Sequence, residues 1–82
     1  MSKFVINLKF YGGLYRYINN YSKERGLYLE LNTRKKIIDI LIKLGVPRNK
    51  IVLIMAGNKP VSIDYFVKGN DVIKVFPPIG GG

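Results

Sequence analysis

The chain has 82 residues, 48% of them hydrophobic, and a formal net charge of +9. That length supports one domain with a modest core that buries roughly 60% of the unfolded surface, and the apolar content excludes a disordered tail. It has no cysteine and no histidine, which excludes a disulfide framework, a thiolate nucleophile and an imidazole base.

Residues 3–11 alternate. Phe4, Ile6, Leu8 and Phe10 fall on one side and Lys3, Asn7 and Lys9 on the other, the period of a half-buried strand. Gly12-Gly13 punctuates the chain. Leu14, Tyr17, Ile18 and Tyr21 then recur at helical spacing, which predicts a short amphipathic helix ended by Gly26. Residues 27–32 read as a second strand, with Leu27, Leu29 and Leu31 inward. Asn32 or Thr33 is expected to cap a longer helix over about 34–44. Ile37, Ile40, Leu41 and Leu44 form its stripe and Ile38 and Ile42 widen it. Gly45 is its C-cap candidate and Pro47 blocks continuation. Arg34-Lys35-Lys36 would place positive charge on the positive end of that helix dipole, a local penalty.

Ile51 to Ala56 is a continuous apolar run, the pattern of a strand buried on both faces. Gly57 to Pro60 reads as a turn, and 61–63 as a short edge strand. Lys68 to Asp71 is a second tight turn. Val72 to Phe76 is the last strand, with Ile73 and Val75 inward, and Pro77-Pro78 stops it because proline donates nothing to a ladder. The expected core is Phe4, Ile6, Leu8, Leu29, Leu31, Ile37, Leu41, Leu53, Ile73 and Val75. Strands and helices mix without strict alternation, which predicts an α+β sheet with one long helix on it and a short extra helix. The expected organisation is a body over 1–76 and a flexible Pro-Pro/Gly tail over 77–82.

The chemistry available is narrow. The five carboxylates, Glu24, Glu30, Asp39, Asp64 and Asp71, are scattered and form no acid/base pair. No apolar run approaches the ~20 residues that span a bilayer. The start, Met1 to Asn7, lacks a signal-peptide h-region, so the expected location is cytoplasmic with no membrane partner. The basic residues are spread along the chain, which argues against nucleic-acid binding as the main role but leaves a basic nucleic-acid module as a separate class of reading. What stands out is Gly80-Gly81-Gly82 after a rigid Pro-Pro. Glycine has no Cβ, so such a segment threads a channel closed to other residues. Residues 77–82 would reach roughly 20 Å when extended. A carboxylate there is a poor electrophile until another enzyme activates it.

The ending Asp71-Val72-Ile73-Lys74-Val75-Phe76-Pro77-Pro78-Ile79-Gly80-Gly81-Gly82 resembles the ubiquitin-like sulfur carriers of the MoaD/ThiS group. There, a last strand runs into Phe-Pro-Pro and Gly-Gly. The 69–71 turn and the helix with Asp39-Ile40-Leu41 are similar to that group as well. Phe10-Tyr11-Gly12-Gly13-Leu14 is similar to the Gly-Gly-Leu of ubiquitin-related modifiers.

The resemblance implies a β-grasp fold and a carrier protein rather than an enzyme, with no cofactor of its own. It implies that an E1-like enzyme, using ATP and magnesium, adenylates Gly82 and that the acyl-adenylate becomes a thiocarboxylate through a sulfur donor protein. The family usually ends in two glycines, so either Gly82 reacts or it is removed first; Gly82 is the expected reactive residue. Gly80 and Gly81 would thread into the partner, and Phe76, Pro77, Pro78 and Ile79 are candidate partner contacts. The sulfur would go to tRNA thiolation, or to molybdopterin through a large synthase subunit, and the same terminus could join target lysines. A free monomer is expected.

Overall fold

The computed structural model describes residues 3–78. Its elements run β1 (Phe4–Phe10), a 3₁₀ turn (Leu14–Tyr17), β2 (Leu27–Leu31), α1 (Ile37–Leu44), a second 3₁₀ turn (Arg48–Lys50), β3 (Leu53–Ala56), β4 (Lys59–Val61) and β5 (Val72–Phe76). The strands form one five-stranded sheet in the order β2-β1-β5-β3-β4. β1 and β5 are parallel and the other neighbours antiparallel. The first and last strands therefore lie side by side in the centre. This is the α+β architecture that the irregular mixing of strands and helices predicts, and its sheet is mixed.

Strand alternation decides the core. Ile6, Leu8 and Phe10 of β1, Ile73 and Val75 of β5 and Ile54 of β3 are buried, and α1 covers them with Ile37, Ile40 and Leu41. Val46, Ile51, Val67 and Leu14 close the edges of this layer. Burial of such side chains contributes about 1.5–3 kcal/mol each before entropy is counted. Gly45 takes φ +103 and its N–H donates to Ile42 O, while Val46 N–H reaches Leu41 O. The helix thus ends where its glycine predicts.

Several expectations are corrected. The first predicted helix is only a four-residue 3₁₀ turn. Ile18 is extended and Asn20 has φ +58, so the chain turns away before a second helical turn can form. Tyr21 instead packs edge-on against Phe10, and its hydroxyl accepts the Phe10 N–H at 2.8 Å. α1 begins at Ile37, not near 34, and no side chain caps it. Its first N–H groups, those of Ile37 and Ile38, donate to Tyr65 O and Ile63 O. Backbone from the 63–65 segment thus does the work assigned to Asn32 or Thr33.

The 34–36 cluster therefore lies outside the helix. Arg34 donates from Nε to Val67 O and from Nη2 to Phe66 O, and Lys36 bridges to Phe66. The charge that looked misplaced on a dipole straps the 65–67 segment to the body. Ile42 points to solvent and is 49% exposed. The 51–56 run is not buried on both faces: Val52 is 65% and Leu53 40% exposed. Leu53 consequently leaves the predicted core. β4 lies two residues before the predicted edge strand, because Gly57-Asn58 alone makes the turn that pairs Ala56 with Lys59. Asn7, expected outward in water, is 7% exposed; its Nδ2 donates to Arg25 O.

Candidate functional site

The tail leaves the sheet from β5, its central strand. Parallel pairing in the register Phe10↔Val75 brings the end of β1 to the end of β5. Tyr11 follows on one side, and its N–H donates to Val75 O at 3.0 Å. Its ring stacks on Phe76 with centroids 4.7 Å apart and planes at 7°. On the other side Leu53 sits opposite Phe76, and Val52 N–H donates to Phe76 O at 2.9 Å. Three adjacent strands thus present Tyr11, Phe76 and Leu53 as one apolar row on the face away from α1. Tyr11 and Leu53 are both substantially exposed. Exposed apolar side chains in contiguous rows mark interaction sites more often than isolated ones do.

Pro77 continues from this row into the Gly12-Gly13 turn. Gly12 has φ +62, and a Cβ built on it would come within 2.5 Å of Pro77 Cγ and 3.0 Å of Cδ. Only glycine tolerates that backbone together with that approach. Pro77 is half-buried on this seat and Pro78 is exposed. A depression of about 490 Å³ opens beside the two prolines, floored by the Gly12-Gly13 turn and bordered by Tyr15, Arg16, Tyr17 and Lys50.

Its border is cationic. Lys23 Nζ lies 4.3 Å from the centroid of the Tyr15 ring. Arg16 foremost, then Lys23, draws the Tyr15 phenol below its ordinary value, because each favours the phenolate. On the sheet face Lys9 and Lys74 are register partners, so they sit side by side. The two ion pairs of the described residues, Lys3–Glu30 and Lys36–Asp64, involve none of these cations. Among the described residues no group of three acids, histidines or cysteines is placed to hold a metal. No helix of the described residues is long and apolar enough to cross a membrane.

Of the predicted site residues, Phe76, Pro77 and Pro78 are brought together with Tyr11, Gly12 and Leu53. Ile79, Gly80, Gly81 and Gly82 lie outside the described residues. In the sequence Gly12 reads as a plain turn residue and Leu53 as core, and Tyr11 is given no role. The available signal was positional: Gly-Gly follows the first strand and Phe-Pro-Pro the last, and parallel pairing of those strands makes the two motifs meet.

Comparison with known proteins places this geometry in a family. The model of the family described as Mut7-C ubiquitin matches residues 3–80. The chain belongs to the Mut7-C ubiquitin family. The ubiquitin-like, MoaD/ThiS-type resemblance carried by the ending and the Gly-Gly-Leu motif therefore stands, within a family those motifs did not single out. The β-grasp fold stands with it. The crystal structure of SAMP1 from Haloferax volcanii superposes with a TM-score of 0.66 at 15% identity, over 95% of this chain and 99% of that one. No curated protein matches this Mut7-C ubiquitin chain.

Proposed function

We infer that this protein is a ubiquitin-like carrier that offers its C-terminal glycine segment to an E1-like adenylating enzyme. The carboxylate of Gly82 attacks the α-phosphate of magnesium-bound ATP, pyrophosphate leaves, and sulfide delivered by a sulfur donor protein then displaces AMP to give a thiocarboxylate. The sulfur passes to an acceptor such as tRNA or molybdopterin, and the activated terminus can also be captured by a lysine amine of a target protein. The partner supplies the nucleotide and the catalytic groups. This chain supplies reach, shape and a rigid root for the tail.

The observation that carries the reading is the seating of that root. Phe76 is held by the Tyr11 ring and by Val52 N–H, and Pro77 rests on Gly12. Phe76 and Pro77 are therefore fixed in direction by the centre of the sheet. Preorganisation of this kind reduces the ordering entropy that a partner must overcome to thread a tail. The absence of cysteine and histidine is compatible with a protein that is acted upon.

A dedicated small subunit of molybdopterin synthase is the second reading, and the exposed Tyr11–Phe76–Leu53 row favours it. A permanent partner would cover that row and copurify in fixed ratio.

The deciding measurement is the intact mass of the protein isolated from its own host, before and after thiol alkylation. We expect a species heavier by one oxygen-to-sulfur exchange that alkylates although the chain has no cysteine. A chain that continues past Gly82, or an unmodified carboxylate throughout, overturns the sulfur-carrier reading.

A further inference from the structure

The two edges of the sheet are built differently. β4 is three residues long and carries Lys59 and Pro60, both exposed. A proline and a lysine on a short strand are the usual means of blunting an edge against further pairing. β2, at the other edge, is five residues long and contains neither.

The register shows which backbone groups of β2 are free. Val5 O accepts from Asn70 N–H and Asn7 N–H donates to Asp71 O, so odd-numbered β1 residues bond toward β5. Even-numbered ones therefore bond toward β2, through the pairs Phe4↔Leu31, Ile6↔Leu29 and Leu8↔Leu27. Tyr28 and Glu30 must aim their N–H and C=O groups outward. Among the described residues neither group has a protein partner, and Tyr28 is 64% exposed. These groups are left to water.

Beside this edge runs an apolar groove of about 410 Å³ between β2 and α1. Leu29 and Leu31 form one wall, and Ile40 and Leu44 the other. Lys35 and Lys43 stand at its rim with Asp39 between them. All three rim side chains are exposed and make no ion pair among the described residues.

We propose that this edge and groove bind an extended segment of a partner protein that is apolar in its middle and acidic at its ends. The segment adds to β2 as a further strand and exchanges main-chain hydrogen bonds with Tyr28 and Glu30. Alternate side chains drop into the groove, as the period of two requires. Its acidic ends meet Lys35 and Lys43, whereas Asp39 keeps acids away from the centre. A second copy of this chain is the poorer occupant, because two bodies of net charge +9 repel. The site lies apart from the tail root and does not depend on tail chemistry.

The test is an NMR titration of the full, isotope-labelled chain with a synthetic peptide of about nine residues. The peptide alternates valine and isoleucine in the middle and carries glutamates at both ends. Amide shifts should gather at residues 27–31 and around Lys35, Lys43 and Leu44. Methylating the peptide amides that face β2 should abolish binding, and methylating the intervening ones should not. Reversing both rim charges (Lys35→Glu with Lys43→Glu) should weaken binding roughly fivefold at low salt, with the fold unchanged because both side chains are exposed. Shifts centred on Tyr11, Leu53 and Phe76, indifference to amide methylation, or no saturable shift would overturn the proposal. So would dimerisation of the free chain through Tyr28 and Glu30 that the peptide cannot disrupt.

Discussion

Pro77 rests on the bare backbone of Gly12, at a distance no side chain at position 12 would permit. The contact joins the turn after the first strand to the exit of the last one, across sixty-odd residues of sequence. Gly12→Ala tests it. The substitution meets both the left-handed φ of +62 and the proline ring. It should lower the free energy of unfolding by about 1–3 kcal/mol in urea titration. Gly13→Ala is the control. That position has φ +89 but open space around its Cβ, so it should lose only the backbone part, on the order of 1 kcal/mol. Equal losses in the two variants would mean that the proline seat adds nothing.

The Tyr11–Phe76 stack makes a second prediction, one that separates packing from function. Tyr11→Phe keeps the ring and should leave stability within about 0.5 kcal/mol. Tyr11→Ala removes a half-exposed ring and its stack and should cost about 1–2 kcal/mol. If the row docks the activating enzyme, Leu53→Ser should raise the KM for the carrier in ATP–pyrophosphate exchange and leave the unfolding midpoint nearly unchanged, since Leu53 is already 40% exposed. A KM equal to that of the wild type would remove Leu53 from the docking face.

The tail itself is tested by truncation. Deleting Gly81-Gly82 should abolish adenylation by the E1-like partner and leave the melting temperature within a degree or two, because the buried core cluster runs from Ile6 to Val75. Retention of thiolation by the truncated chain would refute the role assigned to the terminal glycine.

How far the sequence reveals this molecule depends on the range of the interaction. β1, β2 and β5 are legible because their partners on either face differ in polarity, so alternation is preserved. The C-cap at Gly45 is legible because it is local. What escapes is set by pairing at long range. Val52 and Leu53 read as core because a run of apolar residues does not say which face is covered, and here one face is left open beside Phe76. Residues 34–36 read as helix because nothing local reveals that the 63–67 backbone caps α1 and that Arg34 binds its carbonyls. The tail motif was legible as composition, and its seat on Gly12 was not, because parallel β1–β5 pairing appears in no local pattern.

That strap carries its own prediction. Arg34 supplies two donors in a fixed fork to Phe66 O and Val67 O. Arg34→Ala should cost about 1–2 kcal/mol, and Arg34→Lys should recover only part of it, since an ammonium cannot reproduce the fork. Hydrogen exchange at Val67 N–H, which donates to Lys35 O, should accelerate in both variants, more in the alanine form.

The alkaline limb of stability is governed in part by Tyr65. Its hydroxyl donates to Asp71 Oδ2 at 2.8 Å, and the same oxygen accepts Lys68 N–H at 2.9 Å. Burial first, then the hydrogen bond to Asp71 and the carboxylate's charge, raises the phenol above its ordinary 10.0. A group whose folded pKa exceeds its unfolded one holds its proton more tightly in the folded state. Its contribution is therefore complete below pH 10.0 and is lost as pH rises through the higher folded value. Tyr15, drawn the other way by Arg16 and Lys23, contributes in the opposite sense over the range just below that pH. Unfolding followed between pH 8 and 11 should show wild-type stability falling at the top of the range. Tyr65→Phe should start about 1 kcal/mol lower at neutral pH and fall less steeply. Parallel limbs in the two proteins would mean that Tyr65 is not the group responsible.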